Sequence, residues 1–81
     1  MIELNDKWIN FILSQRETGM GYYVVSVILN DGRKIDHVLI NEGYITLVKD
    51  YEVIPFRQEE IREIYVTNEK WNWHPVRMST E

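Results

Sequence analysis

The chain has 81 residues, no cysteine, and a formal net charge of −4 from nine basic and thirteen acidic side chains. The lack of cysteine excludes disulfides, thiolate metal sites and covalent cysteine catalysis, and no segment is basic enough to favour nucleic acid or an anionic membrane. No apolar run approaches the ~20 residues of a membrane helix and no signal-peptide pattern stands out, so a complete, single-domain, cytoplasmic protein is the expectation.

Ile2 and Leu4 open the chain, and Asn5 or Asp6 can cap a helix by accepting from an early free N–H. At about 100° per residue, Trp8, Ile9, Phe11, Ile12 and Leu13 share one arc, which predicts a helix over 5–17. Gly19 reads as its C′ residue, and Gly21 opposes continuation. Residues 22–29 are almost all aromatic or β-branched, and both faces are apolar except at Ser26. That predicts a strand covered on both sides. Asn30-Asp31-Gly32-Arg33 reads as a hairpin with a type I′ turn. The next strand, 34–40, alternates: Ile35, His37 and Leu39 face one way, Lys34, Asp36, Val38 and Ile40 the other. Asn41-Glu42-Gly43 is a second turn and 44–48 a third strand, antiparallel to its neighbour because the connection is short.

Pro55 forces Ile54 to be extended, and Phe56 plugs an edge of the core. Arg57-Gln58-Glu59-Glu60 predicts one helical turn. Residues 61–67 form a fourth strand, with Ile61, Glu63, Tyr65 and Thr67 on one side and Arg62, Ile64 and Val66 on the other. A short edge strand at 71–74 carries Trp71 and Trp73 on one face and stops at Pro75; 77–81 is a tail. The sum is an α+β domain over 1–81. An N-terminal helix is followed by a strongly bent antiparallel sheet of four to five strands, on the scale of a small SH3-like or Sm-like barrel. An open sheet with the helix across one face is the alternative.

The segments Gly19-Met20-Gly21-Tyr22, Asp31-Gly32-Arg33, Gly43-Tyr44-Ile45-Thr46 and Ile54-Pro55-Phe56 resemble small bacterial proteins of no assigned activity. The resemblance implies a bacterial, stand-alone origin and brings no catalytic or ligand residue with it.

The chemistry-bearing residues have ordinary readings. His37 lies mid-strand beside Asp36, and neighbours in a strand point to opposite faces, so they make no dyad. His74 has no ligand-type spacing to it. Glu59-Glu60 and the acids around Tyr51 fall in polar turns. Ser14, Ser26 and Thr46 lack a nucleophile-elbow context. No metal or cofactor is expected, and no enzyme activity. Three Trp, five Tyr and two Phe point instead to a contact surface. The leading expectation is a non-enzymatic domain that binds a protein partner or itself through an aromatic edge at Trp71, Trp73 and Tyr65. The alternative is an Sm-like RNA-binding module using Arg33, Lys34, Arg57 and Tyr44.

Overall fold

The computed structural model describes residues 1–73. The elements in chain order are β1 (Ile2–Glu3), α1 (Asp6–Leu13), β2 (Tyr23–Leu29), β3 (Lys34–Asn41), β4 (Tyr44–Val48), one 3-10 turn (Gln58–Glu60) and β5 (Ile61–Val66). The strands form one antiparallel sheet in the order β1-β4-β3-β2-β5. It is a half-barrel, so the α+β class and the strong bend expected from the sequence are what the structure shows.

The bend has a local cause. Each of three strand pairs contains a bulge, and a bulge adds twist and curvature to the strand that carries it. Between β2 and β3, Asp36 and His37 together oppose Ser26. Between β3 and β4, Thr46 is the extra residue. Between β2 and β5 it is Arg62. His37 takes φ 58, a left-handed conformation that few side chains adopt.

The bulges also correct the strict alternation expected for these strands. Ile35, Val38 and Ile40 are all buried in one core, as are Ile61 and Ile64. The extra residue shifts the pleat by one, so residues three apart reach the same face. The core on this inner face also takes Leu4, Trp8 and Ile12 from the N-terminal part, Ile45 and Val48 from β4, and Phe56. β2 is buried along both faces: Val24, Val25 and Val27 are all 0 % exposed.

α1 is shorter than expected and stops at Leu13, not 17. The physical reason lies in the residues that follow. The positions stacked above Ile12 would be Gln15 and Arg16, so a longer helix would bury no further apolar side chain. Ser14 N and Oγ instead bond back to the Phe11 carbonyl at 3.1 and 2.6 Å. Leu13, at the rim of the apolar arc, is exposed. Gly19 is therefore no helix cap. It pairs with Tyr22 across the turn Met20-Gly21, with N–H···O bonds of 3.2 Å in both directions. A Cβ on Gly19 would fall 2.3 Å from the Tyr22 ring.

The type I′ turn expected between β2 and β3 is not formed there. Among Asn30, Asp31 and Gly32 only Gly32 has positive φ. The loop is three residues long, closed by Leu29 N–H to Arg33 O at 2.8 Å. Glu42 and Gly43 both have positive φ, so the two-residue primed turn joins β3 to β4.

Among the described residues the sheet does not close by strand pairing, because β1 and β5 lie at opposite ends of it. A side chain spans the gap. Gln58 donates through Nε2 to Glu3 O at 2.8 Å and accepts through Oε1 from Asn5 N at 2.5 Å. Asn5 is itself the N-cap of α1, accepting from Trp8 N through Oδ1 at 3.1 Å. One glutamine thus ties the start of β5 to the end of β1 and to the helix.

Candidate functional site

The expected edge strand at 71–74 is corrected: Trp71, Asn72 and Trp73 are in no strand, and His74 and the tail at 77–81 lie outside the described residues. The chain after β5 instead runs over the outer face of the sheet. Thr67 donates through both N and Oγ1 to Val24 O, at 2.9 and 2.8 Å. Thr18, buried, accepts from Val24 N at 2.9 Å and donates to Thr67 O at 2.6 Å. Lys70 Nζ reaches Thr18 O at 2.8 Å, and Trp71 N donates to the Tyr22 hydroxyl at 3.2 Å. Glu69 Oε1 lies 3.0 Å from His37 Nε2.

Trp73 packs against the His37 ring at a tilt of 56°, with centroids 4.5 Å apart, and Trp71 meets Trp73 edge-on at 5.1 Å. Lys49 Nζ sits 5.6 Å from the Trp73 centroid. Both indoles are half-buried. The left-handed bulge at His37 aims its ring out of the sheet to meet them. Asp36 turns to other partners: Ser26 Oγ donates to it at 2.6 Å, and Lys34 lies 3.7 Å away. The Ser26 hydrogen bond holds the Asp36 carboxyl below its ordinary range, against desolvation that raises it.

Tyr65 does not join the two tryptophans. It lies on β5, paired with Ser26 of β2, and β2 separates it from His37 on β3. Its hydroxyl donates to Glu63, and that bond, with the carboxylate's charge, raises the phenol above its ordinary value. Tyr65 is 53 % exposed and borders a groove between β5 and α1 that is also lined by Trp8, Phe11 and Ile64, with Lys7, Arg62 and Glu63 at its rim. Trp8 and Phe11 meet edge-on at 6.3 Å. Beside the groove runs the outer edge of β5, which has no partner strand among the described residues. The opposite end of the sheet is β1, only two residues long.

The residues named for RNA are dispersed. Arg33 pairs with Asp31 at 2.9 Å, and Lys34 with Asp36. Asn30 binds the carbonyls of Glu59 and Glu60, which brings that hairpin beside two acids. Arg57 precedes the 3-10 turn, its N–H donating to Glu60 Oε1. Tyr44 begins β4, opposite Asn41 and Glu3.

A second hollow, between α1 and the β3–β4 turn, has Ile9, Ile12 and Ile40 as lining and Glu17 and Glu42 beside it. No group of three or more His, Asp or Glu side chains suited to a metal occurs among the described residues. No helix there is long and apolar enough to cross a membrane.

The sequence points to an aromatic edge at Trp71 and Trp73 and reads Trp8 and Phe11, by their helical spacing, as core, whereas the structure also sets both beside the groove. The signal that could have found them is the position of 61–67 as the last regular strand, which leaves an edge beside the helix. Compared with protein families, curated proteins and solved structures, the chain matches none, so its fold and its site rest on its own residues.

Proposed function

We propose that this chain is a small non-enzymatic binding domain that takes up an extended protein segment along the outer edge of β5. The observation that carries the reading is the coincidence of that unpaired edge with the Trp8–Phe11–Tyr65 groove. Strand addition draws affinity from main-chain hydrogen bonds and selectivity from pockets for alternate side chains. Aromatic side chains flanking such an edge supply large contact area at low entropic cost. Tyr65 keeps its place in the contact surface. Trp71 and Trp73 serve the fold on the other face, where His37, Lys49 and Tyr22 engage them.

The RNA reading draws no comparable support, since Arg33 and Lys34 each sit against an aspartate. The test is to select extended peptides from a random library and map their binding by amide chemical shifts. Shifts along β5 and α1, lost in Phe11→Ala and Tyr65→Ala proteins that remain folded, are expected. Shifts centred on Trp71 and Trp73 would overturn the site.

A further inference from the structure

We infer that the strand received at this edge is β5 of a second copy of the chain, paired antiparallel about a two-fold axis between Arg62 and Glu63. The inference rests on the β5 reading above and names its partner.

β5 and the residue before it read Glu60-Ile61-Arg62-Glu63-Ile64-Tyr65-Val66. Antiparallel self-pairing about the 62/63 midpoint sets Arg62 against Glu63 of the partner subunit, twice by symmetry. It also sets Ile61 against Ile64 of the partner subunit, twice. Side chains directly opposite in an antiparallel pair share a face, and opposite charges there are favourable while like charges are not. The neighbouring registers are poor. A shift of one residue either way brings Arg62 against its own symmetry mate or Glu63 against its own. Charge therefore selects one register out of the near alternatives.

Three features of the fold agree with this pairing. Ile61 and Ile64 are both inner-face residues because of the bulge at Arg62, so their cross-pairs would continue the core from one protomer to the next. Arg62 makes no ion pair among the described residues and is exposed beside Glu63. The edge is also the long one of the sheet: six residues, against two in β1. Charges on an edge strand can instead guard it against pairing. A guard works through charges that stay unpaired or meet their like, whereas this pair is its own complement.

The experiment is sedimentation equilibrium of the full chain and of three variants: Arg62→Glu, Glu63→Arg and the double exchange. Circular dichroism confirms that each is folded. The wild type is expected to dimerise. Each single exchange places like charges opposite each other twice and should weaken the dimer about tenfold or more. The double exchange restores both pairs and should recover most of the affinity. A wild type that stays monomeric overturns the inference, as does a dimer equally weak in the double and single variants. The peptide mapping remains separate: selected peptides that shift β5 amides on a monomeric wild type would sink self-pairing and leave the binding-domain reading standing.

Discussion

Thr18 shows how much one hydroxyl can hold here. It is 6 % exposed and joins the loop after α1, the internal strand β2 and the chain beyond β5 through two hydrogen bonds. Thr18→Val preserves the shape but leaves Val24 N–H and Thr67 O without that partner. A buried unsatisfied group costs about 1–3 kcal/mol and the Thr67 carbonyl contact is only part-buried, so a loss of about 2–4 kcal/mol in urea unfolding is expected, with Thr18→Ser much milder. Equal effects of the two substitutions would assign the loss to packing. Ser26 and Asp36 make a pH-dependent counterpart. The folded-state value of Asp36 lies below its ordinary one, chiefly through the Ser26 hydroxyl. Its stabilisation is therefore present above the unfolded-state value and is lost as pH falls through the lowered folded-state value. The carboxylate side chain is 50 % exposed, so solvent screens the effect on stability. In Ser26→Ala, carboxyl NMR should show Asp36 titrating at higher pH; an unchanged midpoint would remove the hydroxyl as the main cause.

Among the elements, the bulges decide the shape, and they explain what the sequence made legible and what it concealed. Apolar clustering made the strands and the helix readable, and the bend followed from having few strands around one core. The facing of the side chains did not follow, because period-two alternation was assumed to run unbroken. Each bulge does leave a trace in the sequence: Ile35 and Val38, Ile45 and Val48, Ile61 and Ile64 are core residues spaced three apart inside a strand. That spacing is neither a strand's nor, in so short a run, a helix's. The edge strand expected at 71–74 is not formed by Trp71, Asn72 and Trp73 for another reason. Trp71 and Trp73 find their partners through contacts with His37, Lys49 and Tyr22, distant in sequence and invisible to local pattern. Gln58 is likewise silent as a letter in a polar turn, yet its amide bridges the open side of the half-barrel. Gln58→Ala removes both bonds and should destabilise by about 1–2 kcal/mol. The added hydrogen exchange should concentrate at the Asn5 and Trp8 amides; a uniform increase across the sheet would show that the bridge does not act locally.

At the scale of the whole molecule, stability should be unevenly spread. A domain of this size has a small margin, about 5–15 kcal/mol at best. β2 stands between β3 and β5 and is covered on both faces, so its amides can exchange only when the sheet itself comes apart. β1 has two residues and pairs on one side only. The chain from Thr67 to Trp73 is held by hydrogen bonds and aromatic contacts on the outer face rather than by the main core. Native-state hydrogen exchange should therefore sort the amides into levels. Val25 and Val27 should exchange at the global unfolding free energy, with denaturant dependence to match. Trp71, whose N–H bonds the Tyr22 hydroxyl, should exchange through a smaller opening that urea barely promotes. Gly19→Ala supplies the control: its Cβ would displace the Tyr22 ring, so Trp71 should lose protection while Val25 and Val27 keep theirs. If Trp71 exchanges only with Val25, the outer segment is part of one cooperative unit, and the two faces of the sheet fold and fail together.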